Sequence, residues 1–311
     1  MKNTLEFLVC FLILIFELSP SLSEAQSDIA GLDTNGIVYQ VNRKTAELTP
    51  ITNEAYSAFN LGATAQKGGK LYYVVVPGGS SENALYISTL KTKSLTHIDL
   101  DRNDSVRALF FKGNKLFGIF YDSGAGTAGL YKIAPKTGVT TLVRDLSTLD
   151  LEPLPGAITE FNGFYYLLAK PEIDSTQRRL LRFKTNGGNV RISEVLDGAG
   201  SPVRCDHLKP NASRKNFVCL ASNMAQTEVS VCKLSLKGVA KCEAALANIT
   251  RVGQGHTMLT PDQKNFYAFV YANGEVDNQR LIKFNAKGVI KSNLVLGTIL
   301  IGAHFNSESP K

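Results

Sequence analysis

The sequence predicts an all-β fold: a six-bladed β-propeller of four-stranded blades, its ring closed by strands from both termini. Three observations carry this reading. A unit of about 45–50 residues recurs along the chain. Each unit alternates apolar and polar residues at period two, with no helical periodicity. The two chain ends carry complementary parts of one further unit.

The second half of the unit, a hairpin of strands C and D, is the easier to follow. It reads GIVYQVNRKTAELTPI near Tyr39, ALYISTLKTKSLTHIDL near Tyr86 and GLYKIAPKTGVTTLV near Tyr131. It returns as LLRFKTNGGNVRISEVL near Leu181, VSVCKLSLKGVAKCEAAL near Val231 and RLIKFNAKGVIKSNLVL near Leu281. Successive anchors lie 47, 45, 50, 50 and 50 residues apart. Alternation on both sides of a Gly-containing or Lys-rich turn is the mark of a hairpin. The first half, strands A and B, recurs as LGATAQKGGKLYYVVV from Leu61, VRALFFKGNKLFGIFY from Val106 and PGAITEFNGFYYLLAK from Pro155. CDHLKPNASRKNFVCLA from Cys205 and GHTMLTPDQKNFYAFVY from Gly255 are the same element with a longer turn. Four strands in this length make a propeller blade.

The ends fix the number of blades. DIAGLD, at 28–33, supplies a strand B and leads into the first C–D hairpin, without a strand A before it. LGTILIGAHF, after the sixth hairpin, supplies that missing strand, with Gly302-Ala303-His304 at its centre. Five complete blades and one shared by both termini make six, and this closure removes the exposed edges that invite aggregation.

Composition fits a globular chain. Of 311 residues, 44% are apolar and 20% charged, which excludes a disordered or collagen-like protein. The absence of Trp weakens any sugar site built on an indole platform. Residues 1–23 read as a cleaved export signal, with Lys2 before the apolar run Phe7–Phe16 and small residues at Ser21 and Ser23; cleavage after residue 25 fits equally. The run of ten is too short to span a bilayer, which takes about 20 residues. Residues 24–311 then form one propeller domain, secreted, extracellular and monomeric. Sequons at Asn103, Asn211 and Asn248 are glycan acceptors in such a chain.

Cysteine usage agrees with export. Cys10 leaves with the signal, so Cys205, Cys219, Cys232 and Cys242 remain. An even number in an exported chain points to disulfides, and the spacing lacks zinc-type pairs. Each candidate pair is centred on a hairpin turn, at Ala212 and Lys237. The expected bridges are therefore Cys205–Cys219 and Cys232–Cys242, with Cys219–Cys232 the nearest rival.

Removal of residues 1–23 takes away one Lys and two Glu, so the formal charge of +7 becomes +8. The basic residues are scattered, with no aromatic-basic nucleic-acid motif, so nucleic acid is not an expected partner. Anionic glycans remain a weaker alternative, since a basic surface attracts them nonspecifically.

The segment GHTMLTPDQKNFYAFV is similar to the H-x-x-x-S-P-D-G-K strand pair, with Thr260 for Ser and Gln263 for Gly. On this segment and the repeat, the mature chain resembles secreted six-bladed propellers of the broad TolB-like and NHL-like group. The resemblance is one of architecture. Trp-Asp strand ends, Tyr-Trp-Thr-Asp repeats and the sialidase box are absent, and the double glycines at 68–69, 78–79 and 187–188 lie outside a kelch register. Lactonases share the shape, but their metal-binding acidic and amide residues have no match here one by one.

In a propeller the inner strands line a central channel, so residues at the starts of the A strands are candidate ligand contacts: Arg107, Asp206, His207, His256 and His304. His207 and His256 are 49 residues apart at matching positions of the repeat, and His304 falls at the corresponding place in the closing strand. Three converging imidazoles would bind a single divalent metal or act as acid-base groups; the alternative is repeat descent, each ring hydrogen-bonded in a packed core. LDRNDS, with Asp99, Asp101 and Asp104, reads as a solvated connection rather than a calcium loop. The tyrosines Tyr72, Tyr73, Tyr165, Tyr166 and Tyr267 read as sheet packing. No nucleophile elbow, phosphate loop or Cys–His pair appears. Five polar B–C loops, starting at Pro77, Asp122, Lys170, Ser222 and Ala272, are expected to gather on one face as a binding surface. The expected function is non-catalytic recognition of an extracellular protein or small ligand, with no catalytic residue and no cofactor. The alternative is a metal-dependent lactonase- or esterase-like hydrolase.

Overall fold

The computed structural model describes residues 29–52, 63–77, 82–213, 215–223, 225–275 and 277–305, so the proposed export segment lies outside the described residues. The strands form six sheets, each one blade. Blade 1 runs, from centre to rim, Leu300–Phe305, Ile29–Asp33, Val38–Val41 and Leu48–Pro50. Blade 2 is Thr64–Lys67, Lys70–Val75, Ala84–Thr89 and Ser94–Asp99, and blade 3 is Ser105–Lys112, Lys115–Asp122, Thr127–Ile133 and Thr140–Asp145. Blade 4 is Leu151–Phe161, Phe164–Pro171, Arg179–Phe183 and Arg191–Glu194, and blade 5 is Cys205–Pro210, Asn216–Ser222, Val229–Ser235 and Ala240–Ala245. In blade 6 two short inner pieces, Ile249–Val252 and Met258–Leu259, both pair with Asn265–Ala272, followed by Gln279–Asn285 and Ile290–Val295. The ring closes as the repeat arithmetic requires: Ala30 pairs with His304 and Gly31 with Ala303, antiparallel.

Local chemistry explains the hairpins. Several C–D turns begin with a residue whose side-chain oxygen accepts from the backbone further on: Asn42 from Lys44, Asn186 from Gly188, Ser235 from Val239 and Asn285 from Lys287, all at 2.9–3.0 Å. Such a bond holds the chain in a turn without a strand partner.

The core is divided into six apolar clusters, one between each pair of neighbouring blades. Phe161 and Tyr166 of blade 4 meet Leu208 and Phe217 of blade 5, for example. Tyr73, Tyr165, Tyr166 and Tyr267 are buried in these layers, as sheet-packing residues should be. Burying one large apolar side chain is worth roughly 1.5–3 kcal/mol. Every blade therefore anchors both its neighbours, which gives the rim loops and the centre a rigid mount.

Both expected disulfides are present, in blade 5. Their geometry corrects one part of the reasoning. Cys232 does lie opposite Cys242, but Cys205 pairs in register with Ala221, and Cys219 with Leu208. The hairpin is in register with Pro210 opposite Phe217, so it is not centred on Ala212. The bulge at Asp206 brings Cys205 opposite Ala221, two positions from Cys219, and the first bridge runs diagonally over a Cα–Cα distance of 5.9 Å. The two bridges accord with an oxidising, extracellular location. Among the described residues no helix is long and apolar enough to cross a membrane.

Candidate functional site

The inner strands do not enclose one open channel. Gly156 of blade 4 reaches across the centre to blade 6, and a Cβ at this position would stand 2.2 Å from His256 N and 2.5 Å from Gly255 C. Gly156 also has φ +67°, in the left-handed region that glycine enters without strain. This backbone contact forms a floor. Pro155 and Gly255 line a cavity on one side of it, and Thr159 and His256 line cavities on the other. The propeller thus has an upper mouth, on the side of the B–C loops, and a lower mouth, on the side of the A–B turns.

The upper mouth is a cavity of about 410 Å³. Four cationic side chains line it, Lys170, Arg178, Arg204 and Arg251, against two carboxylates, Glu152 and Asp206. Arg178, at the end of a B–C loop, is buried and heavily engaged. It donates to the carbonyls of Ser175 (2.7 Å), Gln177 (2.9 Å) and Cys205 (3.2 Å), and to Asp206 Oδ1 (2.8 Å). Ser222 Oγ donates to the other oxygen of Asp206 at 2.8 Å. Glu152 is held by Lys170 at 2.8 Å and Arg107 at 3.3 Å. The remaining two cations differ. Arg204 Nε stands 3.7 Å from Asp206 and its two terminal nitrogens donate to the Gln226 side-chain oxygen at 3.1 and 3.2 Å, whereas Arg251 is exposed, with its guanidinium 4.1 Å from the centre of the Tyr271 ring. A guanidinium stacked on an aromatic ring keeps its in-plane donors free for a ligand. His207, buried on the wall, donates from Nε2 to Gly253 O at 2.9 Å, and burial pushes its pKa down. It is a neutral packing residue here.

The lower mouth collects the other two histidines. The rings of His256 and His304 stack with centroids 4.3 Å apart. His256 Nδ1 lies 2.8 Å from Ala303 O, which fixes the proton on Nδ1 and leaves Nε2 to accept from Lys209 Nζ at 2.7 Å. Burial pushes the His256 pKa well below its ordinary value, and the Lys209 and His304 charges reinforce the shift. His304 shares a 2.9 Å hydrogen bond with Thr64 Oγ1, and burial followed by the Lys209 charge lowers its pKa to about 3. Burial alone lowers Lys209 to about 8.

The five channel residues expected from sequence therefore do not form one site. Arg107, Asp206 and His207 belong to the upper mouth, and His256 and His304 to the lower. The equivalence of His207 and His256 also fails. Leu208 lies opposite Cys219 and Met258 opposite Ala268, so Thr257 holds the place of His207, and His256 that of the bulged Asp206. Thr257 Oγ1 in fact sits 3.2 Å from His207 Nε2. Among the described residues no group of three His, Cys, Asp or Glu side chains is placed to hold a metal ion. In LDRNDS, Asp101 accepts from Thr140 and Asp104 pairs with Arg102, so both carboxylates serve the scaffold.

Sequence reasoning passed over Lys209, Arg178, Arg204 and Arg251. Lys209 had a usable signal: it lies two residues beyond His207 on the same strand, which puts both on one face. The arginines had none, because only the folded ring brings a B–C loop, a bulge and the start of blade 6 together.

No protein-family model and no curated protein matches the chain. Among solved structures it is similar to a Bacteroides fragilis protein provisionally called a 6-phosphogluconolactonase, at 14% identity and TM-score 0.56, over 92% of this chain and 99% of that one. It is also similar to a chain of the nidogen–laminin complex, at 14% identity and TM-score 0.61, over 89% and 97%. A third likeness is to an oligogalacturonate lyase in complex with manganese, at 14% identity and TM-score 0.52, over 82% and 69%. At these identities, what the chain shares with all three is the propeller fold.

Proposed function

We propose that this chain is a secreted binding propeller without catalytic activity, which holds an anionic group of an extracellular protein or small ligand at its upper mouth. The observation that carries the reading is the charge balance there: four cations against two carboxylates, with Arg251 exposed and without a carboxylate partner among the described residues. Loops of blades 4 and 5 contribute Ser175, Arg178 and Gln226 to the cavity, which supports recognition from the B–C face. The test is fluorescence anisotropy with a labelled tetraglutamate peptide. Arg204→Glu/Arg251→Glu should weaken binding at least tenfold, and salt should weaken binding to the unaltered protein. Equal affinity in the two proteins would remove the upper mouth from the account. Exposed Asn103 and Asn248 suit glycan attachment, whereas the Asn211 amide nitrogen is engaged with Asn216 at 2.9 Å.

One further feature favours the anionic-glycan reading as a second activity. A groove of about 550 Å³ is lined by Arg43, Lys44, Lys283 and Lys291, against the single carboxylate Asp262. Retention on immobilised heparin, lost in Lys44→Glu/Lys291→Glu, would support it; unchanged elution would exclude it.

A further inference from the structure

Among the described residues, Lys209 is a part-buried ammonium with no counter-charge. Its hydrogen-bond partner is the neutral His256 Nε2, and among the described residues no carboxylate forms an ion pair with it. Two cavities meet at this group, of about 390 and 270 Å³, both bounded by Lys209, His256, His304, Gln66 and Thr159. The smaller is walled by Leu109, Phe110, Phe111 and Ile158. A cation at one end and an apolar wall at the other describe an amphipathic anion in outline. An uncompensated ammonium withdrawn from water gains most from an anion that reaches it there.

We propose that the lower mouth binds a small monocarboxylate with an apolar body, its carboxylate paired with Lys209 Nζ and its body against Phe110, Phe111 and Ile158. This site is separate from the upper mouth, since the Gly156–His256 floor lies between them. The surroundings make the proton dependence specific to Lys209. His256 and His304, facing it from blade 6 and the closing strand, stay neutral above pH 7 because burial holds their pKa values far down. From blade 4, Glu160 is ion-paired with Lys112 at 2.7 Å, and burial and Glu160 together push the Tyr165 hydroxyl far up, so it keeps its proton. On its own strand, Asp206 is held by Arg178 and Ser222, and His207 is neutral. Between pH 7 and 9.5 the group that changes charge is therefore Lys209, which titrates near 8.

The test is calorimetric titration of the full mature protein with phenylacetate, with acetate as the head group alone. Phenylacetate should bind at pH 7 at least tenfold more tightly than acetate. Its affinity should fall by up to tenfold per pH unit above 8, as Lys209 loses its proton. Lys209→Met, similar in length and without charge, should lose at least tenfold in affinity, while Arg204→Glu/Arg251→Glu keeps it. Binding that is flat from pH 7 to 9.5 in the unaltered protein, unchanged in Lys209→Met, or equal for acetate and phenylacetate would overturn the proposal. The pH profile needs no variant, so it decides the matter even where Lys209→Met fails to fold. Loss of phenylacetate binding in the arginine variant alone would instead place the ligand in the upper mouth.

Discussion

Replacing Gly156 by alanine tests the floor that divides the centre of the propeller. Two costs add. Alanine at φ +67° enters the left-handed region, which costs an L-residue about 1 kcal/mol. The new Cβ would also stand 2.2 Å from His256 N and 2.5 Å from His256 Cα, and a rigid backbone cannot swing aside as a side-chain end would. Overpacking of this kind costs about 1–3 kcal/mol. Gly163, in the A–B turn of the same blade, supplies the control, since it has φ +76° and no neighbour within 4 Å of a built Cβ. Gly163→Ala should therefore pay only the conformational cost, partly offset by the stiffer unfolded chain. Urea unfolding of both variants should show Gly156→Ala the less stable by about 1–3 kcal/mol, with equal m-values. Equal destabilisation would refute the contact across the centre, and with it the separation of the two mouths.

Three other outcomes follow from the same structure. Arg178→Met strands Asp206 and three carbonyls, so it should destabilise by about 3–5 kcal/mol in urea; Arg178→Met/Asp206→Leu should recover more than half, and no recovery would contradict the assigned pairing. Non-reducing peptide mapping should yield Cys205–Cys219 and Cys232–Cys242 as separate linked peptides, and Cys232→Ala/Cys242→Ala should cost about 2–3 kcal/mol, as for a short closed loop. His304 has a folded pKa of about 3, below its unfolded value, so the stability it confers is complete above about pH 6.5 and is lost as the pH falls from there toward 3. The unaltered protein should accordingly lose stability relative to His304→Gln across that window, and a constant difference would show that the ring is not held neutral.

The fold was legible because it is periodic. A strand that must bury alternate residues writes period two into the chain, and six such units, with one split between the termini, leave a count that a single barrel would not. The pairing of Ala30 with His304 closes the ring where that count placed it. What the sequence could not show was the register at the centre. Bulges at Arg107 and Asp206 each insert one unpaired residue, which is invisible in the alternation but moves each following side chain to a new place. The A–B connection is also one residue longer in blade 5, from Leu208 to Cys219, than in blade 6, from Met258 to Ala268, which separates His207 from His256 and leaves Cys219 opposite Leu208 rather than Cys205. The upper mouth was legible only in part: Asp206 and Arg107 could be found from their strand positions, but their partners come from a loop and from neighbouring blades. The Lys209 pocket depends on Phe110 and Phe111, which read as ordinary core residues along the chain.

The most direct measurement is a crystal structure of the protein with tetraglutamate bound. The account requires peptide carboxylates within hydrogen-bonding distance of the Arg204 and Arg251 guanidinium groups, above an intact Gly156–His256 contact. Peptide seated against Lys209 or in the Arg43–Lys291 groove, with the upper mouth empty, would contradict it.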